Sequence, residues 1–248
     1  MGRTVELFCS LSSKRWAYRL ENVFNRVRFL KSRLSIRIVN RPFARHVLSI
    51  LRSKNTDQVT FRKNLVKLGR ILGYEIADDL GFREVLVETP MGKANGVVID
   101  ALENVVIINV LRAATPLVEG LLKAFPSARQ GVVVARRRET EYNAPPSRMD
   151  VDIYYSRIPS VGSQDTVIVA DPMVATGSTI LRVLELIRAK CTPSRLYIAS
   201  VIASKQGVDA LLSSGYTIRL YAIEVDPVLN NKGYIIPGLG DAGDRAFG

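Results

Sequence analysis

Apolar and polar positions along residues 41–248 alternate in ways that mark out a succession of helices and strands. From Pro42, the residues Phe43, Val47, Leu48 and Leu51 fall on one side of a helix. After Asn55-Thr56, Asp57 is placed to cap a longer helix in which Phe61, Leu65, Leu68 and Leu72 recur up to Ile76, with Gly81 just beyond its end. Val85 and Val87, then Val97 and Ile99, alternate with polar neighbours on either side of Pro90-Met91-Gly92, which predicts a β-hairpin. A continuous apolar run, Val105 to Val110, predicts a buried strand, and a helix over Pro116–Phe125 and a strand over Gly131–Ala135 complete a βαβ unit. Further strands are expected over Val151–Tyr155, Val167–Ala170, Leu196–Ala203 and Thr217–Val225. Between them lie a helix carrying Ile180, Val183, Leu184 and Ile187 and a second near Gln206–Ser213. Residues 226–248 are rich in Gly, Asp and Asn, show little periodicity, and predict a lid built from loops. Strands alternating with helices imply an α/β fold with a mostly parallel sheet.

Composition narrows the function classes. The 248 residues can bury a sizeable core, and no segment reaches the roughly 18 uninterrupted apolar residues of a membrane span. Cys9 and Cys191 are too few for a disulfide framework or a zinc site, which fits a reducing compartment and a cytoplasmic protein. The single histidine, His46, has no nucleophile elbow near it and reads as structural. The net charge of +12 invites a nucleic-acid reading, but residues 1–40 carry nine Lys and Arg against Glu6 and Glu21, a net +7, leaving +5 for the rest. A remainder of that size suits an enzyme handling polyphosphates, so no nucleic-acid partner is expected. Residues 1–40, which also hold Trp16, therefore form a basic block of their own. They read as an upstream extension, with an organellar transit peptide and a nucleic-acid or membrane-surface arm as the competing readings.

The strongest chemistry lies in V-I-V-A-D-P-M-V-A-T-G-S-T, Val167 to Thr179. The strand ends at Asp171, whose carboxylate faces the crevice where open α/β sheets bind ligands. Pro172, Met173 and Val174 lead into Ala175-Thr176-Gly177-Ser178-Thr179, and a helix follows. Small residues, hydroxyls and a glycine at a helix start make a phosphate cup, because the first N–H groups lack intrahelical partners and sit at the positive end of the dipole. Arg112 ends the apolar run at Val110-Leu111; such an arginine either snorkels to water or points into a ligand crevice. Arg136-Arg137-Arg138 opens a polar excursion to Pro146, either a charged loop or a flap that closes over a reaction.

The D-P-M-V-A-T-G stretch resembles the phosphoribosyl-diphosphate loop of type I phosphoribosyltransferases in its uracil phosphoribosyltransferase form. Tyr234 to Arg245, Y-I-I-P-G-L-G-D-A-G-D-R, resembles that family's uracil-binding segment, and the similarity runs from about Asn40 to Gly248. One position departs: the family usually has Gly-Gly-Ser after the threonine, whereas this chain has Gly177-Ser178-Thr179. The resemblance implies a type I phosphoribosyltransferase fold over residues 41–248, with a flap and a C-terminal base-binding hood. It also implies transfer of phosphoribosyl from its 1-diphosphate to uracil, giving UMP and diphosphate. Arg112 and Arg137 would grip the diphosphate, residues 175–179 the 5-phosphate, and Asp171 the ribose hydroxyls or magnesium-bound water. The backbone of Ile235, Gly240 and Ala242 would read the base, and Asp241 would orient the substrates. Magnesium would arrive on the diphosphate, with no metal held by the protein alone. The resemblance further implies a homodimer or homotetramer, and a GTP effector at the K-N-L-V-K segment, Lys63, Asn64, Leu65, Val66 and Lys67. On a simpler view, the cations of that helix are a solvated face.

Gly238-Leu239-Gly240-Asp241-Ala242-Gly243 also matches the dinucleotide fingerprint G-x-G-x-x-G, but only five residues follow, too few for the required crossover helix and second strand. The alternative from another class is a phosphoribosyltransferase-like regulator that binds nucleotide and RNA or DNA without turnover.

Overall fold

The computed structural model describes residues 34–138 and 143–248. In chain order they form β1 (Leu34–Ile38), α1 (Pro42–Arg52), α2 (Gln58–Asp79), β2 (Phe82–Thr89), β3 (Gly92–Ile99) and β4 (Val105–Leu111). There follow α3 (Thr115–Leu121), β5 (Arg129–Arg137), β6 (Val151–Arg157), β7 (Thr166–Ala170), β8 (Met173–Val174) and α4 (Ser178–Arg188). The chain continues through β9 (Arg195–Ala199), β10 (Ile202–Ser204), α5 (Lys205–Ser213), β11 (Ile218–Ala222) and β12 (Glu224–Asp226). It ends in β13 (Val228–Leu229), β14 (Ile235–Ile236) and α6 (Ala242–Phe247).

Seven strands make the central sheet in the order β1-β11-β9-β7-β4-β5-β6, all parallel except β6, which pairs antiparallel to β5. Apolar runs without alternation form its middle because both faces are covered. Along β4, Val105 and Ile107 pack into the core formed with α1, α2, α3 and α6, while Val106, Ile108 and Val110 pack into a second core beneath α4 and α5. The layer of α2 and α3 is tight: a Cβ on Gly120 would lie 2.1 Å from the Val66 carbonyl oxygen, so only glycine admits this approach. Asp57 caps α2 as its position predicts, accepting the Thr60 hydroxyl at 2.6 Å and the Thr60 N–H at 2.9 Å, and these bonds, the hydroxyl's first, hold its carboxyl below the usual range.

Four expectations change before residue 226, and beyond it the segment expected as loops alone ends in the helix α6. Residues Leu34–Ile38 form the edge strand β1, in parallel register with Ile218–Ala222, so the structured core reaches into the stretch set apart at 1–40 by its basic composition. Glu75 of α2, almost fully buried, holds that edge through ion pairs to Arg37 and Arg41. Cys9 and Trp16, with the readings attached to residues 1–33, lie outside the described residues. The strand expected over Leu196–Ala203 is two strands: at Ser200 the chain leaves the main sheet and β10 joins β8 and β12 in a three-stranded sheet. The run Thr217–Val225 divides in the same way at Ile223, because a run of strand-forming residues carries no mark of the sheet to which each part belongs. Phe43 is 59% exposed on α1, where it stands beside the exposed His46, and the buried stripe is Ala44, Val47, Leu48 and Leu51.

The C-terminal segment is ordered by charge as well as by loops. Arg52 makes a two-pronged pair with buried Asp226, at 2.6 and 3.0 Å, and also donates to the Gly238 carbonyl. Asp226 accepts the Gly238 N–H. Arg245 donates to the carbonyls of Leu51, Leu239 and Ser53 and lies 4.4 Å from the Phe61 ring centroid. Arg62 of α2 adds a bond to the Ala246 carbonyl. The hood is thus fastened to α1 and α2 by half-buried guanidinium groups that donate to its carbonyls and to Asp226.

Candidate active site

Adjacent strands β4 and β7 end at Leu111 and Ala170, and the residues just beyond them enclose a cavity of about 610 Å³. Its position outside the carboxyl ends of central parallel strands is where such sheets place ligands. One wall is the turn carrying Arg112, the floor is 171–180, a second wall comes from β5 and β6, and 233–244 close the top. Thr176 and Asp241 therefore face one cleft within a single chain.

The cup forms because α4 begins immediately after Gly177, whose φ of +76° is the left-handed conformation that L side chains resist. Gly177 accepts the Leu181 N–H, so the N–H groups of Thr179 and Ile180 open into the cavity end of the helix without intrahelical partners. Two of the three hydroxyls make hydrogen bonds within the protein. Thr176 Oγ1 donates to Ser178 Oγ at 2.9 Å and accepts the Ser178 N–H, and Ser178 Oγ accepts the Met149 N–H at 2.9 Å, all in buried surroundings. The side chain at the position departing from the resembled pattern is turned into the protein. Behind the cup, Ser204 holds the Ala175 carbonyl at 2.6 Å.

Asp171 keeps one oxygen on the Met173 N–H at 3.1 Å. Burial pushes its pKa up to about 6, opposed in part by that hydrogen bond and by the charge of Arg137. Arg137 rests on the hood, donating to the Gly233 carbonyl at 3.4 Å and standing 5.7 Å from the Tyr234 ring centroid. Arg112 follows a cis Leu111–Arg112 peptide, and its side chain is 60% exposed in the cavity with a single 3.3 Å contact to Asp244. Asp241 caps α6, accepting the N–H groups of Gly243 and Asp244 at 2.8 and 3.0 Å through one oxygen.

Of the residues singled out from the sequence, Arg112, Arg137, Asp171, Met173, Val174, Ala175 to Thr179, Ile235 and Asp241 line this cavity. Pro172 does not: it is buried, and its carbonyl accepts the N–H groups of Val201 and Ile202. Gly240 and Ala242 flank Asp241 without lining the wall, Gly240 exposed and Ala242 buried. The segment Lys63–Lys67 lies apart from the cavity on α2, with Lys63 and Lys67 exposed and Asn64 and Leu65 buried. Lining residues to which the sequence gives no role include Tyr154 on β6, Gly233 and Tyr234 in the hood, and Asp244 opposite Arg112.

The family model described as uracil phosphoribosyltransferase matches residues 38–248. The uracil phosphoribosyltransferase of Sulfurisphaera tokodaii is 54% identical over 85% of this chain and 98% of its own length. That of Metallosphaera sedula is 51% identical over 87% of this chain and 100% of its own. Among solved structures, the AQ2163 protein from Aquifex aeolicus superposes with a TM-score of 0.76 at 32% identity, covering 86% of this chain and 98% of that one. A strand-end arginine, an anion cup and a glycine-rich hood around one cleft are thus found in a chain that belongs to the uracil phosphoribosyltransferase family.

Proposed function

We infer that the protein joins uracil to the phosphoribosyl group of 5-phosphoribosyl 1-diphosphate, releasing UMP and diphosphate. The observation that carries this reading is the convergence of the 175–179 cup and the 235–241 hood on one cavity. Uracil N1 forms the new bond to the anomeric carbon as the bond to the diphosphate oxygen breaks, its electron pair leaving with the diphosphate and the N1 proton being lost. Positive charge builds on the ribose ring and negative charge on the leaving group, so catalysis calls for placed charge more than for a nucleophile. Arg112, exposed in the cavity, and Arg137 across it would hold the diphosphate, and the N–H groups at the start of α4 would hold the 5-phosphate. Asp171 would orient the ribose hydroxyls. Ile235 and the backbone flanking Asp241 would read the base edge, on which uracil offers an N3–H donor between two acceptors; cytosine, with a different pattern, would leave buried groups unpaired.

The donor set suits magnesium brought on the diphosphate. Asp171 and Asp241 both face the cavity, and in each only one oxygen makes the backbone hydrogen bonds described above, so a hard oxygen remains for a metal-bound water. Among the described residues no three His, Cys, Asp or Glu side chains gather as a metal cluster, so substrate oxygens and water would supply most ligands. Bound there, magnesium would neutralise charge on the leaving diphosphate. Measuring diphosphate release with uracil, hypoxanthine, adenine and orotate tests the assignment: turnover is expected with uracil, and turnover with a purine but not uracil would overturn it.

We further propose a homodimer or homotetramer. The β2–β3 hairpin exposes Leu86 and Val97 on one face and Val87 and Val98 on the other, apolar surface of the kind that marks an association site. A GTP effector, if it acts on α2, would meet Lys63 and Lys67, the exposed cations of the segment. Sedimentation velocity tests the first and initial rates with and without GTP test the second: a monomer at micromolar concentration would reject the oligomer, and unchanged initial rates at saturating GTP would reject the effector. Among the described residues no helix is long and apolar enough to cross a membrane.

A further inference from the structure

Ser178 connects parts of the cavity that the sequence places far apart. Its hydroxyl is buried, receives the Thr176 hydroxyl from within the cup at 2.9 Å, and accepts the N–H of Met149, 29 residues away, also at 2.9 Å. Met149 lies on the returning limb of the flap, a limb also held where Gln206 bonds the Pro146 carbonyl. The Met149 side chain is 3% exposed and packs against the hood: a Cβ on Gly233 would come within 2.7 Å of its sulfur. The Gly233 carbonyl in turn accepts from Arg137, which stands beside Tyr234. A continuous run of buried contacts therefore leads from the cup, through the flap limb, to the turn at the base end of the site.

We propose that Ser178 is a positioning residue that transmits occupation of the phosphate cup to the base-reading hood through Met149. This rests on the reading of 175–179 as the 5-phosphate site. In the structure Thr176 donates its proton to Ser178 and accepts the Ser178 N–H at 3.3 Å, a long bond that a dianion would compete for. When the anion draws the Thr176 proton, Ser178 turns its own proton toward Thr176 Oγ1. Its lone pair is then polarised toward the Met149 N–H, since hydrogen bonds in a chain strengthen one another. A firmer hold on Met149 limits movement of Gly233 and of the hood wall it belongs to. Filling one end of the cavity thereby lowers the ordering cost of filling the other, which is a coupling between two ligands.

Calorimetric titration of the full chain with uracil, with and without saturating ribose 5-phosphate, reads this coupling directly. In the native protein the sugar phosphate is expected to tighten uracil binding about five- to tenfold. In Ser178→Ala and in Met149→Ala the factor should fall below about twofold. Met149→Ala keeps the backbone N–H bond and the cup, so its affinity for ribose 5-phosphate alone is expected to stay within about twofold, and it carries the test should Ser178→Ala fail to fold. A merely structural loss would weaken both ligands and leave their coupling ratio intact. Persistence of the native ratio in a folded variant, or its absence from the native protein, would overturn the relay while leaving the cup reading standing. Failure of ribose 5-phosphate to bind the native protein would remove the cup reading, and the relay with it.

Discussion

Replacing Arg112 with alanine is expected to lower kcat/KM for phosphoribosyl diphosphate by about 10²–10³-fold, the range for removing one donor group aimed at developing negative charge. The fold should be untouched. The guanidinium is 60% exposed and its contact with Asp244, itself 72% exposed, is a surface pair whose contribution to stability is about 0–1 kcal/mol. Arg112→Lys should recover only part of the loss, because an ammonium restores the charge without the planar fork that matches two phosphate oxygens. Steady-state kinetics on both variants, with melting curves beside them, provide the check. Native kinetics in Arg112→Ala would take the residue out of the site.

Asp171→Asn should move activity and stability in opposite directions. Catalysis should fall by about two orders of magnitude, since the carboxylate proposed to orient the ribose loses its charge. Stability at neutral pH should rise. Burial raises the Asp171 pKa to about 6 in the folded protein, above its ordinary value of 3.8, so the folded state prefers the protonated acid. The contribution of Asp171 to wild-type stability is therefore expected to decline as pH rises from about 4 to about 6, and to remain lower above it, by at most about 3 kcal/mol. Asparagine has no such proton to lose. The two proteins should match near pH 4 and diverge up to pH 6, with the variant ahead by an amount that urea denaturation at pH 4, 5, 6 and 7.5 would measure. A constant difference across that range would refute the assignment. The stability comparison is cleaner than a pH–rate profile, because the substrate's own phosphate also titrates with a pKa of about 6.

The parts of this fold legible in the sequence are those written in local chemistry. The apolar run ending at Val110-Leu111-Arg112 announced both a buried strand and a charge at its mouth, and Asp171 after Val167–Ala170 did the same for the neighbouring strand. Gly177 before an amphipathic helix marked the anion cup, and the helix begins beside it. What local chemistry cannot carry is the direction of a short side chain. Ser178 and Thr176 carry hydroxyls at a helix start, and the sequence does not show that they bond to each other and to Met149, a partner set by tertiary packing. Tyr154 escaped notice for a related reason: nothing in Val151–Arg157 distinguishes the cavity side of β6 from its outer side. The edge strand β1 shows the opposite failure. Leu34, Ile36 and Ile38 alternate as a strand should, and the arginine-rich block around them outweighed that signal. In the tail, six residues are too few to display a helical period, although Asp241 ahead of Ala242–Phe247 is a helix-start residue.

The anchorage of the hood has a bearing on how base selectivity can drift. Arg52 and Arg245 tie residues 226–245 to the end of α1, so the geometry offered to the pyrimidine is inherited from a helix nearly two hundred positions earlier. A change at the Leu51–Ser53 corner that tilts those carbonyls by a fraction of an ångström would be felt at the far end of the chain as an altered preference among bases. Variation there would retune discrimination without touching any atom that meets the substrate.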